Sequence, residues 1–188
     1  MQKSSKPPSL TRIIGFALAA GIALLTGCVQ QKVRLLDQQM SRAYKSYQRD
    51  SFEVATNVLS KYIRFLEAQP PAVYRSRDVS RLSYIAHANL AYMLLCSGDA
   101  EGAGVNLNRA YAYHKKLVNK AQMDPVTRTE FVDYIIKGVE KVDAKAGAAW
   151  KAAYAVDTNT VERVKRRFLQ GVSRGGPPLA QTERGDSP

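Results

Sequence analysis

Apolar residues recur three and four positions apart along most of the chain, and this spacing predicts helices. The first predicted helix begins soon after Gln30, and the second ends before Pro70-Pro71, which cannot continue a helix. Asp50 is the predicted cap of the second helix, with Glu53 as its reciprocal partner. Each helix is expected to bury one apolar face, formed by Val33, Leu36, Met40, Ala43, Tyr44 and Tyr47 in the first and by Phe52, Ala55, Leu59, Tyr62, Ile63 and Leu66 in the second.

A second pair of helices is predicted on either side of Gly98-Asp99. The third helix covers residues 79–97, and the fourth runs from Ala100 to about Gln122 with Asp99 as its cap. Because a helix has about 3.6 residues per turn, the apolar residues of each helix share one face, so the two helices can close on each other as an antiparallel hairpin. The residues that meet are Leu90, Ala91 and Leu94 before the turn and Ala103, Leu107 and Ala110 after it.

The remaining helices are predicted from a proline and two breaks. Asp124-Pro125, a cap followed by a proline, predicts the start of a fifth helix. Residues 148–156, which contain Trp150, either continue it or form a short separate helix, and a last short helix ends at Gly171. Their apolar positions are Val132, Ile135, Ile136, Val139, Val142 and Ala146 in the fifth helix and Val161, Val164, Phe168 and Leu169 in the last. No segment alternates with period two, so the predicted fold class is all-α, a stack of antiparallel helix hairpins with a disordered tail over residues 172–188.

The segment from Tyr84 to Tyr113 has a large-small pair, a large residue, a Gly-Asp turn and a small-large-small helix, at Leu90-Ala91, Leu94, Gly98-Asp99, Ala103, Leu107 and Ala110. This order resembles the tetratricopeptide repeat. A weaker copy lies 48 residues earlier, with Ala43, Phe52, Ala55 and Leu59 in the places of Ala91, Ala100, Ala103 and Leu107. The resemblance implies a short α-solenoid over residues 33–171 with a C-terminal helical cap. Since three repeats are usually needed for a continuous core, either the later helices complete the stack or the protein associates with itself or another protein.

Tetratricopeptide-repeat proteins hold a peptide or protein segment on the concave side formed by the first helix of each pair, so the resemblance implies a partner-binding groove. Helical phase places candidate groove residues at Tyr44 and Tyr47 on the first helix and at Asn89 and Tyr92 on the third. Asn89 also falls where repeats that clamp a peptide carboxylate carry an asparagine. For each tyrosine, packing between helices is the alternative.

The N-terminal residues have the pattern of an export signal. Residues 1–12 carry three cations and no acid, residues 13–25 form an uncharged run, and Leu25-Thr26-Gly27-Cys28 follows at once. This run is too short for a bilayer span, which needs about 20 residues. The tetrapeptide resembles the lipobox of bacterial lipoproteins, which implies a signal peptide over residues 1–27, a diacylglycerol and an acyl group on Cys28, and a short tether over residues 28–32. The alternatives are an uncleaved N-terminal anchor and an ordinary signal peptide.

The chain has 28 Lys and Arg against 16 Asp and Glu, a net charge of +12 that favours anionic neighbours. One basic segment on the last predicted helix is amphipathic, with Arg163, Lys165, Arg166 and Arg167 opposite an apolar stripe. Such a helix can lie on anionic lipid headgroups. The alternative is an end helix that presents its charges to water. Nucleic acid is not an expected partner, since an exported lipoprotein rarely meets it.

No group of residues has the spacing of a catalytic or metal site. His87 and His114 are the only histidines; we expect His87 in the core or a helix seam and His114 at a basic, solvated helix end. Cys96 is expected to be a small buried apolar residue. The sequence therefore predicts a protein that is not an enzyme and that needs no metal or cofactor.

These features predict an envelope lipoprotein that acts as a protein interaction scaffold, in the assembly of a secretion system, a pilus or an envelope-polymer machine. Val29 after the cysteine resembles the outer-membrane sorting pattern, which implies the periplasmic side of the outer membrane if the source is Gram-negative. The alternative function is a structural lipoprotein whose basic face binds anionic envelope surfaces. A hydrolase with an unrecognised site is a third class.

Overall fold

A computed structural model describes residues 31–32, 34–70, 73, 78–146 and 149–170. Regular structure within these ranges is entirely helical, which confirms the predicted all-α class. No helix in the described ranges is both long enough and apolar enough to cross a bilayer. The predicted signal peptide, Cys28 and the tail over residues 172–188 lie outside the described residues. The helices are α1 (residues 34–49), α2 (Phe52–Glu67), α3 (Val79–Cys96), α4 (Ala100–Asn119), α5 (Phe131–Ala146) and α6 (Thr158–Gln170), with a 3₁₀ turn at Ala149–Ala152.

The α3–α4 hairpin is the most extensive contact among the helices from α2 to α6. Gly98 makes its turn possible, because a φ of 80° lies in the left-handed region that side chains disfavour. The amide of Asp99 donates to the carbonyl of Leu94 at 2.9 Å, which satisfies the end of α3. The Asp99 carboxylate accepts the amide of Gly102 at 2.9 Å, which caps α4. The predicted turn and its cap are both confirmed.

Helix α3 lies at the centre of the described fold. It packs against α2, α4 and α5, and α4 in turn packs against α6. Because neighbours cover α3 on several sides, its buried residues form no single stripe. They are Val79, Ser83, Ala86, His87, Ala88, Leu90, Ala91, Tyr92, Met93, Leu95 and Cys96.

Two long-range hydrogen bonds help to hold the C-terminal segments in place. The Arg128 guanidinium donates to the carbonyl of Phe168 at 2.8 Å and lies 4.0 Å from the centre of its ring, which attaches the segment before α5 to α6. The buried indole of Trp150 donates to the carbonyl of Tyr47 at 2.9 Å, which attaches the 3₁₀ turn to α1. Of the two predicted alternatives for this segment, the short separate helix is the one that forms.

The predicted start of α5 at Asp124-Pro125 is wrong. Residues 124–127 are not helical, and α5 begins at Phe131. The hydrogen bond from Arg128 to the carbonyl of Phe168 attaches this non-helical segment to α6. The predicted end of α4 at about Gln122 is also late: Ala121 has a left-handed φ of 54°, and the helix ends at Asn119.

Asp50 does not cap α2, contrary to the prediction. The residue before the helix is Ser51, whose side chain makes no capping hydrogen bond. The Asp50 carboxylate instead accepts the hydroxyl of Ser46, one turn earlier in the chain. Asp50 therefore belongs to the end of α1.

Candidate functional site

An open groove runs between α1, α3 and α5. Its volume is about 560 Å³, and its walls are mainly apolar and aromatic. Helix α5 contributes Tyr134 and Val142, which are 38% and 62% exposed. The prediction that Val142 belongs to a buried stripe is wrong, because this side chain lies on the open wall of the groove. The lining consists of Tyr44, Tyr47, Gln48, Tyr84, Ile85, Ala88, Asn89, Met123, Tyr134, Ile135, Lys137, Gly138, Val139, Lys141 and Val142.

The groove is positively charged. Lys137 and Lys141, one helical turn apart on α5, line it, and none of the described lining residues is a carboxylate. Gly138 lies between them, and a Cβ placed there would meet nothing within 4 Å, so this position leaves the groove wide. A mainly apolar surface with two ammonium groups suits a ligand that combines apolar groups with negative charge.

A narrow apolar pocket of about 20 Å³ shares four lining residues with the groove: Tyr44, Tyr47, Ile85 and Asn89. It extends between α1, α2 and α3, where Leu59 and Tyr62 line it. Its volume suits about one water molecule or a methyl-sized group. Asn89 is half-buried and lines both spaces, so its amide can meet polar groups of a ligand in the groove.

The structure brings together two of the four predicted groove residues as accessible side chains. Tyr44 and Asn89 are half-buried and line the groove. Tyr47 lines it as well, but only 3% of its surface is exposed. Tyr92 does not reach it: this side chain is 5% exposed, and its hydroxyl donates to the Glu140 carboxylate at 3.4 Å. The burial of Tyr92 follows from the central position of α3, where the packing alternative holds.

The contribution of α5 to this site was not predicted from the sequence. Lys137 and Lys141 are spaced by four residues beside Val142, so one face of the helix carries two cations and an apolar residue. That spacing can be recognised in the sequence, but it does not indicate which helices face α5 across a groove. Asp133, one turn before Lys137 on the same helix, pairs with Lys165 of α6 at 2.9 Å.

The two histidines are both buried. His87 lies in the helix seam as expected; its Nδ1 is 2.8 Å from the Asn106 side-chain oxygen and its Nε2 is 3.6 Å from the Glu67 carboxylate. Burial lowers the pKa of His87, and these two partners offset part of that effect. The prediction that His114 is solvated is wrong, since it is 1% exposed. Its place on the stripe of Leu107, Ala110 and Leu117 turns it inward, whereas Lys115 and Lys116 point outward.

The four predicted anionic-surface residues on α6 differ in their surroundings. Lys165 forms ion pairs with Asp133 and with Glu162, and these bonds raise its pKa. Arg163, Arg166 and Arg167 are exposed. Leu169 was predicted on the buried stripe but is 40% exposed. The face of α6 therefore presents three arginines and one apolar side chain, with Lys165 neutralised by carboxylates.

Cys96 is buried, as predicted, and Cys28 lies outside the described residues. Within the described part of the chain, no group of three or more His, Cys, Asp or Glu side chains is arranged to hold a metal ion. No protein-family model matches the chain, and no curated protein or solved structure is significantly similar to it. The groove, with its lysines and half-buried polar groups, is the best-formed candidate site.

Proposed function

We propose that this protein is an envelope lipoprotein that holds a segment of another envelope protein in the groove between α1, α3 and α5. The observation that carries the proposal is the groove itself, which is about 560 Å³ in volume, mainly apolar, and bordered by Lys137 and Lys141, with no carboxylate among its described lining residues. The tetratricopeptide-like order of residues adds support, because that family uses the equivalent helices for binding. A scaffold of this kind would serve the assembly of a secretion system, a pilus or an envelope-polymer machine.

The chemistry of the groove defines the partner segment. Apolar side chains would cover Tyr134, Val139 and Val142, and acidic side chains or a C-terminal carboxylate would meet Lys137 and Lys141. An amphipathic helix or an extended peptide with one or two acidic residues has this combination. Binding at so small a site is expected to be weak to moderate unless the partner also contacts other surfaces.

The substitution Val142→Asp is expected to weaken partner binding about tenfold or more. It places a carboxylate on the apolar wall, where a bound segment would have to desolvate it and where it repels acidic residues. Val105→Asp is a matched control, because Val105 is 57% exposed on α4 and does not line the groove. The partner segment is first identified by a photo-crosslinking residue at position 142 in cells, and its affinity for the three proteins is then measured by titration calorimetry.

Equal loss of affinity in Val142→Asp and Val105→Asp would contradict a groove-specific role. Crosslinks from position 105 but not from position 142 would place the partner on a different surface. Both variants replace exposed valines, so their thermal unfolding should match that of the unmodified protein within about 0.5 kcal/mol.

The anchor is tested separately. We expect the mature protein to begin at Cys28, with its mass raised by a diacylglycerol on sulfur and an acyl chain on the amino group. Several acyl chains on one residue give stable membrane attachment, whereas one chain gives only marginal attachment. Mass spectrometry of the N-terminal peptide from membranes measures this directly. An unmodified Cys28, or a chain that keeps residues 1–27, would refute the anchor, and Cys28→Ser should release the protein from the membrane fraction.

The alternative function, binding of anionic envelope surfaces through α6, has one supporting observation: Arg163, Arg166 and Arg167 are exposed on one short helix. The ion pairs of Lys165 weaken it, because they satisfy one of the four cations internally. This alternative predicts that neutralising the three arginines removes binding to anionic vesicles.

A further inference from the structure

A second concavity lies between α1 and α2, and it differs from the groove in chemistry. Its volume is about 570 Å³. Three cations line it, and Asp50, the one carboxylate among its described lining residues, already accepts the hydroxyl of Ser46. We call this site the basic recess; its lining is Gln38, Ser41, Arg42, Lys45, Ser46, Arg49, Asp50, Val54 and Val58.

The three cations of the basic recess are available to a ligand. Arg42, Lys45 and Arg49 follow each other on successive turns of α1, and all three are exposed. In the described residues, no carboxylate forms an ion pair with any of them. The hydroxyl of Ser41 is exposed beside them. Guanidinium, ammonium and hydroxyl donors around one concavity are the groups that bind phosphate oxygens.

The basic recess and the groove lie on opposite faces of α1. Tyr44 and Tyr47 face the groove, whereas Lys45 and Arg49 face the recess. At about 100° per residue, the recess residues lie roughly half a turn around the helix from the tyrosines. A ligand in the recess therefore leaves the groove open.

The recess also has an apolar edge. Val54 is 47% exposed and Val58 is half-buried, and both belong to α2 beside the cations. Free inorganic phosphate gains nothing from apolar contacts. A lipid offers a phosphate and an apolar region close together, and surfaces that pair cations with apolar side chains bind at the boundary between headgroups and acyl chains. This edge favours a lipid headgroup as the source of the phosphate.

The position of α1 in the chain supports the same ligand. Residues 31 and 32 are helical and lie only three and four residues after Cys28, so a lipid on Cys28 would hold them within about 10 to 15 Å of the membrane. Arg42 to Arg49 span about 10 Å along the helix axis. They reach the headgroups only if α1 lies along the bilayer surface rather than standing upright.

We propose that the basic recess binds the phosphate groups of membrane lipids, which lays α1 along the bilayer and turns the groove away from it. The orientation rests on the proposed anchor at Cys28, but the binding site does not. The recess thus fixes the orientation of the lipoprotein on the membrane, with lipid on one side of α1 and the partner segment on the opposite side.

The test uses residues 28–188 with Cys28→Ser, which retain every buried residue of the described core, from Leu36 to Phe168. Sedimentation with vesicles of phosphatidylglycerol and phosphatidylcholine measures binding, with pure phosphatidylcholine as the neutral control. The recess variant carries Arg42→Gln, Lys45→Gln and Arg49→Gln. The matched control carries Arg163→Gln, Arg166→Gln and Arg167→Gln, which remove the same charge from α6. Thermal unfolding checks that both variants fold.

The recess variant is expected to bind anionic vesicles about tenfold more weakly than the α6 variant, which should bind like the unmodified protein. Binding should fall as salt rises. Equal weakening in both variants would overturn the proposal, because it would show attraction by net charge alone. Weakening in the α6 variant only would overturn it in favour of α6.

A calorimetric titration with inorganic phosphate distinguishes the two possible sources of the bound phosphate group, a lipid headgroup and free phosphate. Binding of free phosphate without vesicle binding would overturn the lipid assignment. Loss of vesicle binding in the recess variant with unchanged affinity for the partner segment would support the recess independently of the groove. The failure of one proposal is therefore distinguishable from the failure of the other.

Discussion

Replacing Trp150 by alanine is expected to lower the free energy of unfolding by about 3 to 5 kcal/mol, the usual range for a buried large aromatic residue. The side chain is 4% exposed. The centroid of its ring lies 5.5 Å from that of Tyr47 and 5.6 Å from that of Phe52, and both pairs have edge-on geometry. The indole N–H also donates a hydrogen bond to the carbonyl of Tyr47. Alanine would therefore remove both the aromatic contacts and the hydrogen bond.

Trp150→Phe separates these two contributions. Phenylalanine keeps most of the ring packing but loses the indole N–H, so the expected loss is about 1 to 2 kcal/mol, smaller than for alanine. Urea unfolding followed by circular dichroism measures both variants, since Trp150 is the only tryptophan and fluorescence would be lost with it. Equal losses for alanine and phenylalanine would mean that the hydrogen bond dominates. A loss below about 1 kcal/mol for alanine would contradict the described packing.

This residue also connects stability to the groove. Trp150 contacts α1 through Tyr47, and Tyr47 lines the groove. Loosening that contact is expected to let the end of α1 move relative to α3. The alanine variant should therefore bind the partner segment more weakly even at temperatures where it remains folded.

His114→Phe is expected to raise the free energy of unfolding by about 1 to 3 kcal/mol. His114 is 1% exposed, and neither ring nitrogen makes a hydrogen bond to a described residue. Its ring is surrounded by Tyr84, Phe131 and Tyr134, with centroids 5.4 to 5.8 Å away. A phenyl ring fits such surroundings and brings no unsatisfied polar atoms into the core.

The same substitution should flatten the dependence of stability on pH. Burial is the main cause that lowers the pKa of His114 below its ordinary value of 6.5. Below about pH 6.5 the unfolded chain therefore binds a proton that the folded chain does not. Stability falls as pH falls from 6.5 towards the folded pKa. The gain from His114→Phe should accordingly be larger at pH 5.5 than at pH 7.5 in chemical denaturation.

His87→Phe is a control that is expected to lower the free energy of unfolding, whereas His114→Phe is expected to raise it. His87 is also buried, but its ring contacts the Asn106 amide oxygen and the Glu67 carboxylate, so phenylalanine removes the hydrogen bond of that oxygen. A loss of about 1 to 3 kcal/mol at pH 7.5 is expected. If both substitutions stabilise the protein, the contact between His87 and Asn106 contributes nothing. If both destabilise it, the description of His114 as an unsatisfied core residue is wrong.

Features encoded over a few residues were predictable from the sequence. The Gly98-Asp99 turn depends on one left-handed residue and one capping carboxylate, and these two adjacent residues identify it in the sequence. The start of α5 was predicted wrongly, and the segment before it makes a contact that local sequence does not reveal, a bond between Arg128 and Phe168, 40 residues apart. His114 is an intermediate case. Its stripe with Leu107 and Leu117 was readable, but the neighbouring lysines suggested a solvated end.

The candidate groove was predictable only in part. Helical phase correctly placed Tyr44 and Asn89 on its lining, because the side of a helix follows from residue spacing. The prediction that Tyr92 lines the groove was wrong, because helical phase does not show which other helices cover each side. The 3₁₀ turn with Trp150 and helix α5 bury Tyr92, and both come more than 30 residues later in the chain.

The sequence by itself determined that this chain is helical, where its central hairpin turns, and which faces of α1 are aromatic or basic. These depend on residue spacing and on hydrogen bonds within one or two turns. Only the tertiary structure decided which faces remain open. Packing of α3 against α5 buries Tyr92 and leaves Val142 exposed beside Lys141, and packing of α1 on α2 forms a recess around Arg42 and Lys45. Exposure depends on which neighbours a helix meets, and distant segments of the chain supply those neighbours.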